Sequence, residues 1–144
     1  MKYFFFAIFI TITINSFAND AEIMMRELIW QKRVLLVFAP DNTNINYHRQ
    51  NVILSEIAAG MKEREMMTIR TIWDSKLLID NIEQSLTANV LYQYFFVTEK
   101  QFRVMLVGKN GKVKLDREKP VLTKELFALI DEMPIRQHEM QQGD

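Results

Sequence analysis

The spacing of hydrophobic positions changes several times along the chain, and each change predicts a new element. Residues 33–39 are apolar after the first and end at Pro40, a pattern typical of a strand buried on both faces of a sheet. Over residues 45–65 the apolar positions recur every three or four residues, which predicts an amphipathic helix. Residues 66–73 alternate between apolar and polar and predict a second strand.

A second helix is predicted over residues 77–94, where Leu78, Ile82, Leu86 and Val90 follow one another at intervals of four. Before the first strand, residues 19–29 also carry apolar side chains at roughly helical spacing. They predict a short lead-in helix.

The last third of the chain has the clearest pattern. Residues 102–107 read as a strand, residues 108–111 contain an Asn-Gly turn signal, and residues 112–115 return as the antiparallel partner. A final helix is predicted over residues 123–131, with Thr123 as its capping residue.

After the lead-in, the predicted order is β-α-β-α-β-β-α. With right-handed crossovers between parallel strands and a hairpin at the end, this order predicts a thioredoxin-like α/β fold. We expect a single domain with a central mixed sheet flanked by helices, because no repeat or linker interrupts the chain.

The first 18 residues are typical of a secretory signal peptide. Lys2 precedes an apolar run over residues 3–14, and the small residues Ser16 and Ala18 predict cleavage after Ala18. A retained membrane anchor is the alternative, but the run of about a dozen residues is shorter than the ~20 that a spanning helix needs. We therefore expect a periplasmic or secreted protein with no membrane span after cleavage.

Cleavage at this position would leave three further segments. Residues 19–29 form the lead-in segment, residues 30–140 the thioredoxin-like domain, and residues 141–144 a tail.

Composition excludes several classes of function. The 144 residues include no cysteine, so thiol oxidoreductase, peroxidase and thiolate-metal chemistry are excluded for this chain. Lys and Arg number 18, as do Asp and Glu, which leaves no broad positive field for nucleic acid or anionic lipid. We expect neither a nucleic-acid partner nor a cofactor.

The most informative candidate site is the turn after the first strand, because thioredoxins and peroxiredoxins place their reactive cysteine at this helix N-terminus. The chain instead has four polar residues there: Asp41, Asn42, Thr43 and Asn44. They either bind a partner's polar group or an anion, or simply cap the helix. Gln101 and Phe102 stand where a thioredoxin-like site has its cis-proline.

Two basic positions elsewhere are further binding candidates. Lys109 belongs to a small basic edge on the hairpin, whose alternative role is to protect an edge strand from pairing. We expect Arg136 to fasten the C-terminal tail to the domain through a carboxylate, either Asp131 or Asp74.

No catalytic or metal-binding residue is predicted. His138 and Glu139 are weak metal-ligand candidates beside the alternative of a solvated tail. The nine methionines leave open a metal-binding protein of the cell envelope, although most of them fall in apolar segments and indicate core.

Several segments together resemble one known family, domain of unknown function 4174. The segments are Trp30-Gln31-Lys32-Arg33, Glu63-Arg64-Glu65, the hairpin from Phe102 through Gly108-Lys109-Asn110-Gly111 to Lys114, Leu126-Phe127, and the tail Ile130-Asp131-Glu132-Met133-Pro134-Ile135-Arg136-Gln137-His138-Glu139-Met140. The resemblance implies a peroxiredoxin-like variant of the thioredoxin fold. It also implies a protein that occurs alone as an exported bacterial protein, or as a module of animal sushi-repeat and equarin-type matrix proteins, with no established catalytic activity.

The sequence therefore favours an exported, non-catalytic binding module whose partner is an envelope or extracellular protein. A non-thiol enzyme with its pocket at the Asp41–Asn44 turn is the first alternative. An envelope metal-binding protein is the second.

Overall fold

A computed structural model describes residues 16–143. The predicted signal peptide, except for its last three residues, lies outside the described residues. In chain order the elements are α1 (Ser16–Leu28), β1 (Arg33–Ala39), α2 (Ile45–Glu56), α3 (Ala58–Glu63), β2 (Met66–Ile72), β3 (Lys76–Ile79), β4 (Ile82–Thr87), α4 (Asn89–Tyr94), β5 (Arg103–Val107), β6 (Val113–Arg117), α5 (Thr123–Asp131) and α6 (Pro134–Gln142).

The six strands form one mixed sheet in the order β4-β3-β2-β1-β5-β6. Strand β1 pairs in parallel with β2 and antiparallel with β5, and the remaining pairs are antiparallel. Every residue of β1 is buried, as its continuous apolar run predicts. The expected central mixed sheet and terminal hairpin are confirmed.

Helices cover both faces of the sheet. On one face α1 and α4 enclose a core that includes Phe38, Ile69 and Leu91. On the other face α2, α3 and α5 enclose a core that includes Leu35 and Leu126. Alternate side chains of each central strand enter the two cores, because neighbouring residues of a strand point to opposite faces.

The helix predicted over residues 77–94 is wrong. This segment forms the β3–β4 hairpin followed by the short helix α4. Asp80 and Asn81 have φ values of 45° and 72°, and two consecutive positive values are the mark of a type I′ hairpin turn. The Asp80 carboxylate also accepts a hydrogen bond of 2.9 Å from the backbone N–H of Thr68. Turn chemistry thus outweighs the four-residue hydrophobic spacing.

Two smaller expectations also differ from the structure. The helix predicted over residues 45–65 is two helices, α2 and α3, which meet at Ile57. Thr123 does not cap α5, because Leu122 occupies the N-cap position and makes no side-chain cap hydrogen bond. The structure of the C-terminal tail, which the sequence left open, is helical as far as Gln142.

A glycine at position 81 tests the hairpin directly. We expect Asn81→Gly to stabilise the protein by about 0.5–1 kcal/mol, because glycine adopts positive φ without steric cost. A helix over the same residues would instead be destabilised by about 1 kcal/mol.

The matched control is Ser85→Gly in β4, which should destabilise the protein because φ there is ordinary and glycine weakens a strand. Urea unfolding followed by circular dichroism measures both variants. Destabilisation by the two glycines alike would contradict the hairpin.

Candidate functional site

The turn that follows β1 is organised by hydrogen bonds among its own residues. Asp41 Oδ1 accepts hydrogen bonds from the Thr43 backbone N–H at 2.8 Å and from the Thr43 hydroxyl at 2.6 Å. Asn44 is the N-cap of α2, and its Oδ1 accepts from the Tyr47 backbone N–H at 3.1 Å. The four predicted residues therefore lie together at the N-terminus of α2, where two of them close the turn.

The electrostatics of this turn favour an ionised carboxylate. The hydrogen bonds from the Thr43 side chain and backbone lower the pKa of Asp41. A general acid needs a raised pKa to hold its proton near neutral pH. Three clefts, of about 580, 360 and 230 Å³, are lined by residues outside Asp41–Asn44. The turn is thus an exposed polar surface, in which Asp41, Asn42 and Thr43 are exposed and Asn44 is half-buried.

The opposite end of the sheet holds the other two predicted residues. Lys109, expected on an exposed edge, is instead buried. Its Nζ donates to Glu139 Oε1 at 2.6 Å and also to the Glu65 carboxylate. The basic edge of the hairpin therefore does not include Lys109.

Arg33 joins the same cluster from the first position of β1. Its side chain is 1% exposed, and its Nη1 lies 3.0 Å from Glu139 Oε2. Nη2 donates to the other oxygen of Glu139 at 3.3 Å, and Nη1 donates to the Arg64 carbonyl at 2.8 Å. Two hydrogen bonds to one carboxylate form the bidentate geometry that arginine favours.

Arg136 lies in a second set of ion pairs next to the first. Its Nε donates to Asp131 Oδ1 at 3.2 Å, and its other donors reach Glu63. Arg64 holds Asp131 from the other side with hydrogen bonds of 2.9 and 2.7 Å. The expected pairing of Arg136 with Asp131 is confirmed, and the alternative with Asp74 is wrong.

Pairing outweighs burial in this network. Burial by itself raises the pKa of Glu139, but hydrogen bonds from Lys109 and Arg33 hold the pKa below its usual value. The same balance, with Arg64 and Arg136 as donors, lowers the pKa of Asp131. Both carboxylates are therefore ionised at neutral pH and bound to cations.

We call these eight residues the basal network. It has four cations and four anions: Arg33, Arg64, Lys109, Arg136, Glu63, Glu65, Asp131 and Glu139. All eight fall in the segments that carry the family resemblance. Through these ion pairs the network fastens α5 and α6 to the base of the sheet. The chain positions of Arg33 and Arg64 in those segments were the signal that sequence reasoning overlooked.

The expectation of a solvated tail around Glu139 is wrong, since Glu139 is central to the basal network. His138 beside it is exposed. Within residues 16–143 no group of three His, Cys, Asp or Glu side chains is arranged to hold a metal ion. No helix in that part of the chain is both long and apolar enough to cross a membrane.

Comparison with known protein sequences identifies a matching family and longer relatives with two different names. The model of the family described as Domain of unknown function (DUF4174) matches residues 24–139. Human sushi repeat-containing protein SRPX2 is 29% identical over 136 residues, which cover 90% of this chain and 29% of that protein. Coiled-coil domain-containing protein 80 of Danio rerio is 23% identical and covers 77% of this chain and 15% of its own length. The chain thus spans less than a third of these relatives.

The solved structures that resemble this chain are peroxiredoxins. A 2-Cys peroxiredoxin of Plasmodium vivax in its reduced form has a TM-score of 0.59 at 17% identity, covering 80% of this chain and 83% of its own. Thioredoxin peroxidase I of Plasmodium yoelii has a TM-score of 0.55 at 20% identity, covering 83% of this chain and 80% of its own. At such identities the likeness concerns the fold alone. The expected thioredoxin-like, peroxiredoxin-like fold is confirmed.

Removing the central carboxylate tests the basal network. We expect Glu139→Gln to lower the free energy of unfolding at pH 7 by about 2–3 kcal/mol, because Arg33 and Lys109 stay buried without their partner. The pKa of Glu139 is lowered in the folded state, so its contribution is present above the unfolded pKa near 4.5 and is lost as pH falls through the folded pKa. The difference in the free energy of unfolding between wild type and Glu139→Gln should therefore become smaller in acid.

The control is Glu22→Gln, which breaks an exposed ion pair with Arg26 and should change stability by less than about 0.5 kcal/mol. Urea unfolding between pH 3 and pH 8 measures all three proteins. A difference between wild type and Glu139→Gln that is constant with pH would refute the role of the ionised carboxylate.

Proposed function

The chain belongs to the family described as Domain of unknown function (DUF4174), and from this membership we propose that it is an exported, non-catalytic thioredoxin-like binding module. Its partner is a protein of the cell envelope or the extracellular space. The observation that carries the proposal is the turn at Asp41–Asn44, where a thioredoxin-like enzyme has its thiol and this chain has an exposed, hydrogen-bonded polar surface.

The turn suits recognition better than catalysis. Asp41 and Asn44 fix the backbone through their own hydrogen bonds, so little conformational entropy is lost when the turn meets a partner. Asn42 and Thr43 are exposed, and Ile45 at the start of α2 is 61% exposed. An apolar side chain beside amide and hydroxyl groups is a composition that supports a protein interface.

Lys109 and Arg136, which the sequence also predicted as binding residues, lie at the opposite end of the sheet from the turn. Both are buried in the basal network, and we propose that they contribute by keeping the domain rigid. The binding surface proper consists of Asp41, Asn42, Thr43 and Asn44.

Two further features support an exported binding module. The pattern of residues 1–18 is that of a cleaved signal peptide, so we propose that the mature protein begins at Asn19 and is periplasmic or secreted. The relatives are several times longer than this chain, which supports its fold acting as one module among others.

The non-thiol enzyme considered above has less support. The pKa of Asp41 is lowered by its hydrogen bonds with Thr43, which is the opposite of what a general acid at this turn needs.

Site-specific photo-crosslinking tests the proposal. A photo-reactive residue replaces Ile45 in cells that produce the protein. We expect a discrete protein adduct that weakens several-fold when Asn42→Ala is added, since Asn42 makes no side-chain hydrogen bond within the described residues and its loss leaves the fold intact.

The matched control is the same photo-reactive residue at Val52, which lies on the same helix with nearly the same exposure, 58% against 61% for Ile45. Equal amounts of adduct from both positions would contradict binding at the turn. So would an amount of adduct at Ile45 that is unchanged by Asn42→Ala.

A further inference from the structure

A cleft of about 580 Å³ opens beside β2 on the face of the sheet that α2 and α3 cover. These two helices wall one side of it, and the β3–β4 hairpin extends the sheet beyond them. Thr68 and Arg70 of β2 form its floor. The volume lies within the range of sites that bind small molecules.

The charge of this cleft is unbalanced. Lys32, Lys62 and Arg70 line it, and none of the three makes a salt bridge within residues 16–143. Asp80 is the one carboxylate among the lining residues, and it accepts the backbone N–H of Thr68 at 2.9 Å. In a chain with equal numbers of acidic and basic residues, this is a local excess of positive charge.

Arg70 is the least satisfied of these cations. Its Nε is buried and has no hydrogen-bond partner within the described residues. Its Nη1 reaches Asn51 Oδ1 only at 3.4 Å, close to the limit of a hydrogen bond. A guanidinium keeps its charge at all ordinary pH values, and a buried donor without an acceptor costs stability. The buried Nε is closed to a ligand, so an anion in the cleft pairs with the other guanidinium N–H groups, whose one hydrogen bond within the described residues is the long contact with Asn51.

Part of the cleft lining is apolar, alongside four neutral polar residues. Leu54, Met61 and Met66 line the wall, and all three are largely buried. Methionine adapts its shape to varied ligands because its side chain is unbranched and polarisable. A ligand that fits both parts has an anionic group and a short apolar chain.

We propose that this cleft binds a small organic carboxylate. Its carboxylate pairs with the Arg70 guanidinium between the two lysines, and its apolar chain packs on the methionines and leucine of the wall. The fork of an arginine matches the two oxygens of a carboxylate. This site is separate from the Asp41–Asn44 turn. Its ligand is a small molecule, whereas the partner of the turn is a protein.

Calorimetric titration of the purified protein with octanoate at pH 7 tests the proposal. We expect saturable binding of octanoate, and binding at least about tenfold weaker for acetate, which lacks the chain, and for octanamide, which lacks the charge. Inorganic phosphate is the probe for a site that recognises charge alone.

Arg70→Gln should weaken octanoate binding by about tenfold or more, while the control Arg117→Gln, an exposed arginine of β6 outside the cleft, should leave it unchanged. Because Arg70 is partly buried, a loss of binding in Arg70→Gln has two explanations, a lost contact or a disturbed fold. A second variant separates them. Lys32→Gln combined with Lys62→Gln changes only exposed side chains. It should weaken binding several-fold and reduce its dependence on salt.

Four results would overturn the proposal: no heat of binding with octanoate, octanamide binding as tight as octanoate, phosphate binding as tight as octanoate, or octanoate affinity unchanged in both cleft variants. Each concerns the cleft alone. They are independent of the crosslinking at Ile45, so either proposal can fail without the other.

Discussion

A guanidinium buried at the start of the central strand sets the main constraint on this structure. Arg33 opens β1 with its side chain 1% exposed, and an arginine cannot discard its charge by losing a proton. The charge must therefore be matched by a carboxylate brought from elsewhere in the chain. Glu139 supplies it from a position 106 residues later, with Lys109 as its second cation. Helix α6 is for this reason an integral part of the fold.

The two ends of the sheet differ in what they contribute. At the carboxyl end of β1, where thioredoxin-like enzymes do chemistry, the chain has a polar turn held by its own hydrogen bonds. At the amino end, eight charges pair with one another. The segments that identify the family converge on the second end. The family pattern in this chain thus records how the domain is held together.

The sequence predicted those parts of the fold whose signals are local. Strand β1 was visible as an unbroken apolar run, and the pair Arg136 and Asp131 could be anticipated because the two are five residues apart. The β3–β4 hairpin was missed because its apolar side chains happen to recur at a helical spacing. The turn formed by Asp80 and Asn81 decides the structure of the segment instead. The pairing of Arg33 with Glu139 has no local signal, since only the folded topology brings the two together.

The long separation of Arg33 and Glu139 also has a consequence for biogenesis. At ribosomal speeds of about 5–20 residues per second, roughly 5 to 20 s pass between the synthesis of the two residues. Throughout that interval the central strand has a charge with no partner, so the sheet cannot close around it at low cost. Completion of the fold around Arg33 therefore waits until α6, which supplies Glu139, has been synthesised.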